Sequence, residues 1–255
     1  MFGSPEHTAY DLRFRLLNIP VRVHPLFWLI TAMIGGSQPF RFTLIWIACV
    51  FVSIIVHEFG HGLAARRLGG EPSEIVLYSM GGLCFSRLDR PTPLKEILVS
   101  AAGPAAGFAL AALVLVALNA RYGIHPFDAL AFIGLGNGNV NEVYDRLPQT
   151  EIAQSFVLYL LWINCFWGIF NLFPIWPLDG GQIAMSFLRA VNPLNGVRWA
   201  HVVALLTAGA VSLWAISRQS YPTALFVGFI GYMNYQILQT MHDSYRSTRD
   251  SGWGR

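Results

Sequence analysis

The sequence predicts an all-α polytopic membrane protein, with about six transmembrane helices and a short membrane-associated β-hairpin after the second. Three observations carry that expectation. Hydrophobic residues make up 54% of the 255 and charged residues only 12%, about half the charged share that covers a soluble domain. Apolar runs approaching the roughly 20 residues needed to cross a bilayer recur along the chain. The basic residues crowd into alternate loops.

The runs fall at residues 23–34, 42–65, 97–118, 152–173, 197–216 and 222–240. The first is short and opens on His24-Pro25. Six crossings return both termini to one side. With that side cytoplasmic, the inner loops hold Arg13, Arg15, Arg22, Arg66, Arg67, Arg87, Arg90, Lys95, Arg189, Arg198, Arg246, Arg249 and Arg255. The outer loops hold only Arg41, Arg121, Arg146 and Arg218. An excess of basic residues inside is the rule for membrane proteins, so the split supports both the span count and the orientation. Between the second and third runs, Ile75-Val76-Leu77-Tyr78 and Met80-Gly81-Gly82-Leu83 read as strand residues around a Gly-Gly turn, hence the hairpin. The outer connection at 119–150 is turn-rich around Gly134, Gly136 and Gly138. The whole chain, 1–255, reads as one integral membrane domain.

Several classes drop out. The net charge is only +3 and the basic residues form no stripe, so nucleic-acid binding has no support. Cys49, Cys84 and Cys165 form no C-x-x-C pair and read as buried thiols. The polar start, residues 1–22, lacks the pattern of a cleavable signal peptide.

Chemistry concentrates in His57-Glu58-Phe59-Gly60-His61, in the cytoplasmic third of the second run. Residues four apart share a helix face, so His57 and His61 reach one metal ion together. Glu58 beside them is placed to take a proton from water. This is the H-E-x-x-H arrangement of zinc metalloproteases. Ionisable groups inside an apolar span are costly and read as functional. A catalytic zinc takes three protein ligands and keeps one position open, so a further ligand is needed. Most carboxylates lie in loops or tails. Asp179 differs: it follows the fourth run after Pro174 and Pro177, at the same predicted depth as His61. The alternative is that Asp179 only caps the helix starting near Gly180.

Together, the H-E-x-x-H of the second span and Asn171…Pro177-Leu178-Asp179-Gly180-Gly181 resemble the site-2 protease family of intramembrane zinc metalloproteases. His24-Pro25-Leu26-Phe27-Trp28, Tyr78-Ser79-Met80-Gly81-Gly82 and Gly103-Pro104 resemble further family signatures. The resemblance covers about residues 20–185, leaving 197–240 as additional spans, and is to the compact members without PDZ or CBS domains. It implies that His57, His61 and Asp179 bind one Zn2+ per chain and that Glu58 is the general base. Asn171 matches the asparagine that in the family stabilises the oxyanion or positions substrate. Asn164, seven residues earlier, reads as an interhelical hydrogen-bonding residue. The strand edge at 77–85 reads equally as a pairing site for an extended substrate or as a structural plug. His24 reads as an interface residue or a gate.

The expected function is hydrolysis of peptide bonds in membrane-spanning or membrane-associated protein substrates near the cytoplasmic face. The expected setting is the lipid bilayer of a prokaryotic cytoplasmic membrane, with both termini cytoplasmic. A regulatory membrane protein or a homo-oligomer would be a further partner. The competing reading is a membrane metal-ion transporter using the same His and Asp groups, which would have no need of Glu58. A di-iron oxidase would need more histidines and ranks last.

Overall fold

A computed structural model describes residues 6–36, 39–79, 81–148 and 150–251, except for the side chains of 73 and 244–251. Met80 of the hairpin signature and Arg255 of the tail lie outside the described residues. The chain divides into two compact units: Met1–Arg90 with Ala102–Ile169, and Pro91–Ala101 with Phe170–Arg255.

The first unit begins with strands. Leu12-Arg13-Phe14-Arg15-Leu16 alternates apolar and basic residues with the period of a strand and forms β1 (Leu12–Leu16). Leu17 and Asn18 both take positive φ, 50° and 63°, as a tight two-residue hairpin turn requires. The chain returns as β2 (Ile19–Val23), antiparallel to β1. His24 then starts α1 (Pro25–Gly35): its Nδ1 accepts from the Leu26 N–H at 3.1 Å, and Pro25 occupies the first turn, where its missing donor costs nothing. α2 (Phe40–Arg67) runs for 28 residues, about 42 Å.

After α2 the chain forms β3 (Gly70–Tyr78) and β4 (Gly81–Leu88), which pair antiparallel with a register shift between Pro72 and Glu74. The expected hairpin is therefore present, but it is half of a larger structure. β2 pairs in parallel with β3, Val21 opposite Ile75 and Val23 opposite Leu77, giving one sheet in the order β1-β2-β3-β4. The all-α expectation is corrected to a mostly helical chain with a four-stranded sheet. A parallel pair needs a long crossover; here α1 and α2 supply it. Ile19, Val21, Val23, Ile75 and Leu77 are buried in one cluster with Phe27, Ile54 and Phe59 of the two helices.

Arg22 of β2 is 1% exposed. It pairs with Asp11 (Nη1 to Oδ2, 3.3 Å) and with Glu74 of β3 (Nε to Oε1, 3.4 Å). Burial works to raise the Asp11 carboxyl, but donors from the Thr8 hydroxyl, the Thr8 backbone, Arg22 and Arg13 outweigh it and hold the group well below the usual carboxylate range. A depressed folded value means that this contribution is complete above the unfolded value of about 3.9 and is lost as pH falls toward the folded one. A spin label replacing the exposed Leu12 is accordingly expected to gain mobility as pH drops from about 4 to 2. In Asp11→Asn it is expected to be mobile at neutral pH.

Further along, α3 (Pro93–Tyr122) leads to two short helices, α4 (Pro126–Phe132) and α5 (Val140–Arg146). They give structure to the turn-rich connection at 119–150. Asp128 accepts from the Asn139 N–H at 2.7 Å, and Asn139 caps α5. α6 (Glu151–Trp162) continues through a π-turn at Ile163–Trp167 into α7 (Gly168–Asn171). The second unit contains α8 (Asp179–Val191), α9 (Gly196–Ser217) and α10 (Tyr221–Ser251), with Ile175, Ala204, Ala208, Val227 and Ile230 at its core.

Among the described residues, four helical segments are long and apolar enough to cross a membrane: Phe40–Arg67, Pro93–Tyr122, Glu151–Asn171 and Gly196–Ser217. The chain is a multi-pass integral membrane protein. α1 has 11 residues, about 16 Å, half the hydrocarbon thickness of a bilayer, and α10 is not among the four.

Candidate metal centre

α2 carries the centre. Its first turns are mostly apolar, and its C-terminal half holds His57, Glu58 and His61, which are 5%, 5% and 8% exposed. The one-turn spacing brings the two imidazoles together, with Nε2 to Nε2 at 3.2 Å and the rings edge-on at 4.9 Å between centroids. At that separation the two nitrogens can share one proton or converge on one cation.

Three small residues shape the space around them. Gly103 of α3 faces the histidines: a Cβ there would overlap the His61 ring and lie 2.8 Å from His57 Nε2. Gly82 of β4 lies against Glu58, where a Cβ would overlap the carboxylate arm. Gly62 lets the sheet approach α2, with Ile19 Cδ1 3.2 Å and Cys84 Sγ 3.5 Å from the place of its absent Cβ. The sheet thus braces the histidine-bearing end of α2, and its edge strand passes over Glu58.

The other expected residues fall as follows. Asn164, in the π-turn, donates from Nδ2 to Ser53 Oγ of α2 and to the Leu160 carbonyl, both at 2.8 Å; it is an interhelical tie, as its position suggested. His24 is a helix cap whose backbone N–H donates to the Leu77 carbonyl at 2.9 Å and whose ring meets Tyr78 edge-on. Cys49 and Cys165 are buried and Cys84 is half-buried, all as free thiols. Burial pushes the Cys84 thiol up to about 12, and the charge of Glu58 adds to the shift, so it is protonated at neutral pH. In the second unit, Asn171 at the end of α7 is buried. Asp179 is the first residue of α8, with Leu178 in the cap position, so it is not the cap of that helix. Gly180 and Gly181 let the first turn of α8 nest on the backbone of residues 172–176, where any Cβ would overlap carbonyls.

The donor set fits a metal. His57, His61 and Asp179 are all buried and each offers one ligand atom. Two imidazoles and a carboxylate suit zinc, and Gly103 leaves the imidazole nitrogens clear of a methyl group that would overlap them. Ser53 and the close packing at Gly62 carry no sequence pattern of their own, and the contact of Gly82 with Glu58 lies beyond what its Gly-Gly turn signals.

The model of peptidase family M50 matches residues 45–215, a span that contains the H-E-x-x-H segment and Asp179. The chain belongs to peptidase family M50. A zinc metalloprotease of Methanocaldococcus jannaschii is 27% identical over 184 residues, covering 70% of this chain and 46% of that protein. Stage IV sporulation protein FB of Bacillus subtilis is 26% identical over 182 residues, covering 70% of this chain and 51% of that protein. The chain thus spans about half the length of these relatives. In overall fold it is similar to the solved site-2 protease from Methanocaldococcus jannaschii, at a TM-score of 0.57 and 23% identity, over 90% of this chain and 95% of that one.

Proposed function

We propose that this M50 chain is an intramembrane zinc metalloendopeptidase, which hydrolyses peptide bonds of membrane-spanning or membrane-associated proteins near the cytoplasmic face. The observation that carries the reading is the buried His57–Glu58–His61 set on a membrane-crossing helix. Ionisable groups inside an apolar span are costly and read as functional. The zinc metalloprotease name borne by a relative points the same way.

In this reading His57 and His61 ligate through Nε2 and Asp179 through a carboxylate oxygen. Zinc, when bound, lowers the pKa of water from about 15.7 to about 7. Glu58 accepts a proton from water and delivers it to the leaving amine nitrogen. Asn171 donates from Nδ2 to the developing oxyanion. β4 is the sheet edge beside Glu58; an unwound substrate segment pairing along it would lie extended next to the base.

The parallel pairing of β2 with β3 supports an N-terminus on the same side as the 68–94 connection, because α1 and α2 must go in and come back. With thirteen of the 17 Lys and Arg residues assigned to that side, both termini are cytoplasmic, in a prokaryotic membrane, with α10 as the last crossing. Residues 1–255 work as one catalytic domain, and regulation comes from a partner membrane protein or a second copy.

The test is direct. Wild type purified in detergent is expected to hold about one zinc per chain and to cut members of a panel of membrane-spanning substrates. Stripping with a chelator should stop cleavage, and added zinc should restore it. Protein that holds no zinc and cuts equally well in chelator would overturn the reading.

A further inference from the structure

We infer that Asn234, oriented by His201, is a positioning residue for Asp179: α9 and α10 fix the loop that presents the proposed third metal ligand. The inference rests on the metal reading of Asp179 given above.

Asn234 lies on α10 and is wholly buried, beside the apolar Val227 and Ile230. A buried amide must find partners for its N–H groups and its oxygen. Its Nδ2 donates to the Trp176 carbonyl at 2.7 Å and to the Ile230 carbonyl at 2.8 Å. Its Oδ1 faces His201 Nδ1 of α9 at 2.8 Å. The opposite orientation of the amide would set an oxygen against two carbonyls, so the orientation is fixed by the neighbours. Asn234 Oδ1 can then only accept, and His201 Nδ1 must carry the proton. His201 is 3% exposed, and its ring meets Trp176 edge-on at 5.9 Å. Both side chains are polar groups placed between spans, and their joint product is one anchored carbonyl, that of Trp176.

Trp176 stands three residues before Asp179, and the segment between is stiff. The Ile175 N–H donates to the Phe173 carbonyl at 2.7 Å and the Leu178 N–H to the Ile175 carbonyl at 2.8 Å. Ile175 is wholly buried. At Gly181 a Cβ would overlap the backbone of Ile175 and Trp176, and at Gly180 that of Leu172 and Phe173. The first turn of α8 is therefore seated directly on the segment that Asn234 holds, and a shift of Trp176 moves Asp179 with it. Groups that orient a metal ligand from behind typically contribute about 10–100-fold to metal affinity.

The experiment compares wild type, Asn234→Leu, His201→Leu, His201→Asn and Asp179→Asn in detergent. Zn2+ affinity is read by chelator competition, the visible spectrum after Co2+ loading reports ligand geometry, and circular dichroism reports folding. Asn234→Leu is expected to bind Zn2+ about 10–100-fold more weakly and to alter the Co2+ spectrum while keeping its helix content. His201→Asn keeps an amide N–H close to the place of Nδ1 and is expected to stay nearer wild type than His201→Leu. If Asn234→Leu does not fold, His201→Leu carries the test, since it leaves both carbonyl contacts of Asn234 in place. Wild-type affinity and an unchanged Co2+ spectrum in the folded leucine variants overturn the inference. If Asp179→Asn weakens binding and those variants do not, only the positioning role falls. If Asp179→Asn leaves affinity unchanged, the ligand reading falls and takes the positioning role with it.

Discussion

Glu58→Gln is expected to lower peptide hydrolysis by about 100- to 10,000-fold, the usual contribution of a positioned general base, while the protein keeps its zinc. The substitution changes almost nothing but the proton affinity of one group. Glutamine has the same length and nearly the same volume, and the site tolerates no more than that, because β4 passes over the side chain at Gly82. Glu58 is not one of the three residues proposed to hold the metal, so metal content should be that of wild type. The contrast with a histidine variant makes the result specific: His57→Ala is expected to lose zinc and activity together, Glu58→Gln activity alone. The measurement is zinc per chain beside the initial rate on the same substrate. Cleavage by Glu58→Gln at the wild-type rate would remove the base from the mechanism. Zinc transport into proteoliposomes that survives Glu58→Gln, with no cleavage by either protein, would return the chain to the carrier reading.

What the sequence made legible follows a physical line. His57, Glu58 and His61 were readable because helix geometry links residues four apart and because ionisable groups stand out in an apolar run. The strands β3 and β4 were readable from a Gly-Gly turn between apolar residues. β1 and β2 are hard to read from sequence, although Leu12-Arg13-Phe14-Arg15-Leu16 alternates with a period of two. Five residues of mixed polarity are a weak signal, and the parallel partner that stabilises β2 lies some 50 residues on, beyond two helices. Hydropathy alone reads the first apolar run as a crossing, but α1 covers only 11 residues. The π-turn at Ile163–Trp167 follows from tertiary packing and leaves no sequence pattern. Asn234 and His201 carry no motif; the structure gives them a purpose through a relay in which His201 faces Asn234 and Asn234 donates to the Trp176 carbonyl.

Gly103→Ala is expected to separate metal binding from folding. The methyl group would overlap the His61 ring and come within 2.8 Å of His57 Nε2. What it meets is the far end of two rotatable side chains, not backbone, so the fold can yield cheaply by swinging the rings aside. The centre cannot yield in the same way. Once the rings turn, their Nε2 atoms no longer converge on a common point, and each ligand direction that a bound ion requires is lost. Overpacking of a filled site costs about 1–3 kcal/mol, and here that cost falls on the metal-bound arrangement. Zinc affinity should therefore drop by about 5- to 150-fold, at roughly 1.4 kcal/mol per factor of ten, while thermal stability of the metal-free protein stays close to that of metal-free wild type. Gly60→Ala is the matching control. It would press a Cβ on the Ala102 carbonyl, with Ala106 Cβ 2.8 Å away, and backbone cannot swing aside. That variant is expected to lose stability in the metal-free state. Equal zinc affinity in wild type and Gly103→Ala would mean that the histidines are not held in the metal-binding arrangement by α3, and that the space at residue 103 serves packing alone.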